Sequence, residues 1–210
     1  MAIADFWFDP SCPYTQLTAQ WMTEVEAVRP VRVRWRAMSL SVLNEHRDDD
    51  PEGDPDGYLW IAARICAAVQ CHHGHDALGR FYAALWPHND AATTMVDTDT
   101  GDVDWLAGLR DALRVAGLPT DLAEVGLGTD YDDELRRSHT EGVTLLGPHV
   151  GTPIIATPHP TTPDTQVAFF GPVISQVPRG EAAGRLWDAT LLVAATPGFH
   201  TLKGHAPGAA

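Results

Sequence analysis

The first 37 residues change hydrophobic period twice, and this constrains the fold more than any other feature of the chain. "IADFWF" (residues 3 to 8) is apolar and aromatic enough for a buried strand, and "DPSCP" then supplies turn and helix-start residues. From Tyr14 to Val28 the apolar positions Leu17, Trp21, Met22, Val25 and Val28 recur at helical spacing, and Pro30 ends the run. In "VRVRWRAMSL" the residues Val31, Val33, Trp35 and Ala37 alternate with arginines, the period of a strand. The opening therefore reads strand, helix, strand, with Cys12 at the first junction.

"EHRDDDPEGDPDG", from Glu45 to Gly57, gathers acid, Pro and Gly as an exposed connection does. Its carboxylates sit on a flexible loop with no preset cage for a cation, so a solvated loop is expected. Helical patterns follow in "YLWIAARICAAVQC", "ALGRFYAALW", "VDWLAGLRDALRVAGL" and "DYDDELRRSHTEGVTLL". Strand signals return in "GTPIIAT" and "QVAFFG", and "PRGEAAGRLWDATLLVAA" closes the chain as a helix. The expected organisation is an α/β core from residues 1–50 and 143–210, with 51–142 as an all-helical insertion.

A formal charge of -14 makes phosphate backbones and anionic lipid surfaces poor partners, so nucleic-acid and membrane roles are not expected. No apolar run approaches a membrane span, and "MAIADFWFDP" lacks the basic start and long apolar segment of a signal peptide, which points to the cytoplasm. Three cysteines are too few, and odd in number, for a disulfide framework. One lysine, Lys203, against thirteen arginines, with abundant alanine, suggests a GC-rich, actinobacterium-like source.

Cys12 sits where a helix begins, so unpaired N–H groups and the positive end of the helix dipole favour its thiolate. Pro13 suits the first turn, where its missing N–H costs nothing. Tyr14 can wall off one side, and the Thr15 hydroxyl is a candidate donor to the sulfur. A thiol redox motif would carry a second cysteine at the position of Thr15. Cys66, Cys71, His72, His73 and His75 make a compact cluster of soft ligands, but Cys66 and Cys71 are five apart on an expected helix and do not share a face. A packed cysteine and a solvated His-rich helix end are expected there, with no metal. Cys66 or Cys71 acting as a distant resolving thiol stays open. Arg179 is expected to cap the surface of a helix start, and His139 and His149 are candidate proton carriers. "GTP" at Gly151 to Pro153 opens a strand with a proline excluded from ladder donation.

"FWFDPSCPY", "SLSVLNEHRDD", "GTPII" and "FFGPVISQVPRGEAAGRLWDA" together resemble the mycothiol-dependent nitroreductases of actinobacteria, a branch of the DsbA-like thioredoxin-fold oxidoreductases. The resemblance implies a thioredoxin fold interrupted by a helical subdomain that covers the active site. By position it makes Cys12 the nucleophile and Pro153 a cis proline, with the backbone of Thr152 holding an incoming thiol. Pro13 and Tyr14 complete the thiol-binding surface. Family members usually read CPWC, and this chain reads CPYT, so Thr15 cannot close an internal disulfide.

The expected activity is that of a monothiol, thiol-dependent oxidoreductase or transferase. It would use mycothiol, or glutathione as the alternative, on a small electrophilic substrate or a mixed disulfide. Kappa-class glutathione-transferase-like or chromene-carboxylate-isomerase-like chemistry, a non-catalytic binding module, and a homodimeric state stay open at this level.

Overall fold

The computed structural model describes residues 1–89, 106–147, 150–162 and 164–204. Four strands, β1 (Ala2–Phe8), β2 (Val31–Ala37), β3 (Ile154–Pro158) and β4 (Gln166–Phe170), form one sheet in the order β2-β1-β3-β4. β1 and β2 run parallel, with Phe6 opposite Trp35, joined by the crossover helix α1 (Pro13–Val28). The pairs β1 with β3 and β3 with β4 are antiparallel. Parallel neighbours need a long crossover, whereas an antiparallel pair can be joined by a turn. The chain's early period changes and late hairpin are the two halves of that rule.

Side-chain alternation gives the sheet two different faces. Ala4, Phe6 and Phe8 of β1 and Val31 and Val33 of β2 enter the main core with Trp21, Met22 and Val25 of α1 and Trp187 of α6 (Glu181–Ala194). Burying each such large side chain contributes about 1.5–3 kcal/mol. Trp7 points the other way, into a smaller cluster with Met38, Ile154 and Ala156. Helix α5 (Asp132–Val143) lies against it: the Trp7 indole Nε1 donates to the Ser138 carbonyl at 2.9 Å. A Cβ at Gly142 would stand 2.8 Å from the indole, so glycine sets how closely α5 approaches. The arginines of β2 are on this second face. Arg34 makes a two-pronged bond to Asp5 (2.5 and 2.6 Å), and Arg36 reaches Glu141 of α5 (2.5 Å).

Between β2 and β3 the chain is helical: α2 (Leu40–Asn44), α3 (Leu59–Asn89), α4 (Ala107–Val115), a 3-10 segment (Thr120–Leu127) and α5. The two helical patterns expected before residue 87 are one kinked element, α3, bent at Gly74, whose φ of 81° takes the left-handed conformation glycine tolerates. The short α2 and the 3-10 segment carry too few turns to show a period. Residues 103–105, at the start of the third expected pattern, lie outside the described residues.

The acidic stretch is a largely exposed loop, as expected, and two of its carboxylates make local bonds. Asp54 accepts from the N–H groups of Tyr58 and Leu59 (2.8 Å each), capping the start of α3, and Glu52 accepts from Asn44 (2.5 Å). No helix among the described residues is long and apolar enough to cross a membrane.

Candidate active site

β1 delivers the chain to the site, and the loop after it turns on Asp9. The Asp9 carboxylate accepts from the Ser11 N–H (2.7 Å), the Ser11 hydroxyl (2.5 Å) and the Leu40 N–H (2.6 Å). It therefore ties the approach to Cys12 to the start of α2. Burial pushes its carboxyl pKa up, while the bonds from Ser11 and Leu40 pull it down. In the sequence Asp9 reads as a turn residue; no local pattern marks it as a buried anchor.

Cys12 is the N-cap residue of α1 in extended conformation (φ -81°, ψ 112°), and its carbonyl accepts from the Gln16 N–H at 3.2 Å. Its side chain makes no capping bond, and the first turn contains no acidic residue. The positive helix end is thus left for the sulfur. Cys12 is partly exposed, and Tyr14 beside it is 47% exposed, standing at the rim.

Thr15 lies wholly inside. Its hydroxyl is 3.1 Å from the hydroxyl of Thr152, rather than serving the sulfur as the sequence suggested. Thr152 in turn accepts from the Asp9 N–H at 3.1 Å, and its bond to Pro153 is cis. The start of α1, the loop after β1 and the entrance to β3 are thereby laced through one buried hydroxyl pair. A second cis bond, Gly171–Pro172, follows β4, and the Pro172 carbonyl accepts from Thr18 of α1 at 2.7 Å. The structure thus gathers Cys12, Pro13, Thr15, Thr152 and Pro153 at one end of the sheet.

The remaining candidates fall elsewhere. Cys66 is sealed in the core; burial, then the negative charge of Asp9, pushes its thiol well up. Cys71 is exposed on α3. The His72 ring is 2.8 Å from the Tyr131 hydroxyl, and the His75 ring 2.7 Å from the Trp35 carbonyl. Among the described residues no group of three or more ligating side chains is placed to hold a metal ion. Arg179 pairs with Glu24 of α1 at 2.9 Å, a surface contact at the start of α6. His139 is buried, with its Nδ1 towards the Ser39 N–H, and His149 lies outside the described residues.

A four-stranded sheet with a helical insertion and a single cysteine at the start of its first crossover helix is the DsbA-like form of the thioredoxin fold. A probable DsbA oxidoreductase of Streptomyces coelicolor superposes with a TM-score of 0.55 at 15% identity, covering 100% of this chain and 97% of that one, which is likeness of fold. The chain belongs to the Rv2466c-like mycothiol-dependent nitroreductases, whose family model matches residues 11–204. An uncharacterised protein of Mycobacterium tuberculosis is 28% identical over 213 residues, 97% of this chain and 82% of that protein.

Proposed function

We propose that the protein is a cytoplasmic monothiol oxidoreductase in which Cys12 works with mycothiol on a small electrophile. The observation that carries this reading is the buried Thr15–Thr152 hydroxyl pair at the place where a second thiol would stand. The other two sulfurs do not replace it: Cys66 is enclosed and poorly ionised, and Cys71 is on the outer surface of α3.

For an electrophile A reduced by two electrons, Cys12–SH and one mycothiol RSH give Cys12–S–S–R and AH2. A second RSH then attacks the mixed disulfide, releasing Cys12–SH and RSSR. Two thiols are oxidised for each A reduced, and Cys12 is regenerated. The helix end stabilises the Cys12 thiolate as attacker and as leaving group, while the backbone of Thr152 and the ring of Pro153 receive the incoming thiol.

Intact-mass analysis after exposure to mycothiol disulfide tests this cycle. The expected result is one mycothiol adduct on Cys12, absent in Cys12→Ser. Thr15→Cys should instead discharge the adduct and lose two hydrogens as an internal disulfide. An adduct that persists in Cys12→Ser, or a wild-type protein that forms an internal disulfide, would overturn it. A parallel arm with glutathione disulfide decides the thiol: faster adduct formation there would reassign the co-substrate.

A further inference from the structure

Only a thiolate attacks a disulfide, and a thiol of ordinary pKa, about 8.5, is only a few per cent ionised at neutral pH. Release of Cys12 by a second thiol therefore gains from a base beside the sulfur. Asp9 is a buried acid at this end of the sheet that the monothiol cycle leaves unused.

Asp9 is 2% exposed, and its carbonyl accepts from the Cys12 N–H at 3.3 Å, closing the turn that carries the sulfur. Its own N–H donates to the hydroxyl of Thr152 at 3.1 Å, so one residue touches both sides of the site. The Ser11 hydroxyl donates to its Oδ1 at 2.5 Å. Ser11 is half-buried and precedes Cys12 in the chain. It is thus the outer end of a hydroxyl–carboxylate pair whose inner end is sealed.

No cationic side chain pairs with Asp9 among the described residues. Cys66 and Tyr82 of α3 are the titratable groups that feel its charge, and burial keeps both protonated. From α2 it meets the Leu40 N–H, and from the entrance to β3 the Thr152 hydroxyl. With burial working against its charge and no cation to hold it, this carboxylate is a stronger base than an exposed one.

We propose that Ser11 and Asp9 form a proton relay for the thiol that attacks the Cys12 mixed disulfide. The proton of RSH passes to the Ser11 oxygen as the Ser11 proton passes to Asp9 Oδ1. RS⁻ attacks the outer sulfur, the bond from that sulfur to Cys12 breaks, and the new disulfide departs from a Cys12 thiolate. Asp9 then returns the proton through Ser11 to that thiolate. The relay rests on Cys12 as the reacting sulfur, but it is tested on an adduct made without mycothiol.

In a Cys71→Ser background, methyl methanethiosulfonate places a methylthio group on Cys12. Its release by mycothiol is then followed by intact mass from pH 6 to 9.5. The wild-type rate should change little between pH 6.5 and 8, because the relay removes the proton. In Ser11→Ala and Asp9→Asn the rate should climb about tenfold per pH unit, as free thiolate does below its pKa. Both variants should be at least about tenfold slower than wild type at pH 6.5 and equal to it at pH 9.5. Ser11→Thr, which keeps a hydroxyl, should follow wild type. If Asp9→Asn does not fold, Ser11→Ala still decides, since it keeps the carboxylate. A wild-type profile that climbs in parallel with that of Ser11→Ala would sink the relay, as would a loss in Ser11→Ala of the same size at every pH. Neither result alters the adduct expected from mycothiol disulfide, so the cycle and the relay fail separately.

Discussion

His139 shows how one residue's surroundings become a pH dependence. It is 6% exposed, and its pKa is lowered to about 4, first by burial, with Arg136 adding to the lowering and Glu45 opposing it. Unfolded, the same imidazole titrates near its ordinary value of about 6.5. Between those values the unfolded chain binds a proton that the native protein does not, so stability falls as pH drops through this window. By pH 4 the loss reaches about 3 kcal/mol. Urea titrations at pH 7, 5.5 and 4.5 should show that His139→Gln loses less stability over this range than wild type; parallel losses would mean that the proton is taken up elsewhere. The imidazole is thus neutral in the native protein at neutral pH. Cys12 could be singled out in the sequence because strand, Pro13 and helix start are contiguous. Asp9 and the burial of His139 could not, since each acquires its meaning from segments 31 and 100 residues away.

Elements were legible where they were long and periodic. β1, α1, β2, β3, β4 and α6 all fall on segments whose period announces them. What the period could not show was pairing. The period sets the arginines of β2 apart from its apolar residues without naming their partners: Arg34 sits opposite Asp5 and bonds to it, and Arg36 reaches α5, so the second sheet face is closed by charge as well as by Trp7. Nor does an acidic loop announce a cap, although Asp54 satisfies two N–H groups at the start of α3. Asp54→Ala should therefore cost about 1 kcal/mol, or about 2–4 °C in melting temperature for a chain of this size, while Asp54→Asn keeps most of that stability. A thermal melt of both variants checks this; equal losses would place the effect in charge rather than in capping.

Across the whole molecule the main core makes no division between sheet and insertion. Phe6 and Phe8 of β1 and Trp21 of α1 share one contiguous cluster with Leu78 and Phe81 of α3, Leu113 of α4 and Leu135 of α5. Heat should therefore unfold the protein in one transition, with calorimetric and van't Hoff enthalpies that agree. Two resolved transitions would show that the helical part holds itself together. The three cysteines bring a further consequence of that shared core. They sit at three depths, Cys71 on the surface, Cys12 at a rim and Cys66 enclosed. A maleimide added to the native protein thus finds its third target only when α3 lifts from the strands. The slow phase of its uptake is a built-in clock for that opening, readable without a single added label site.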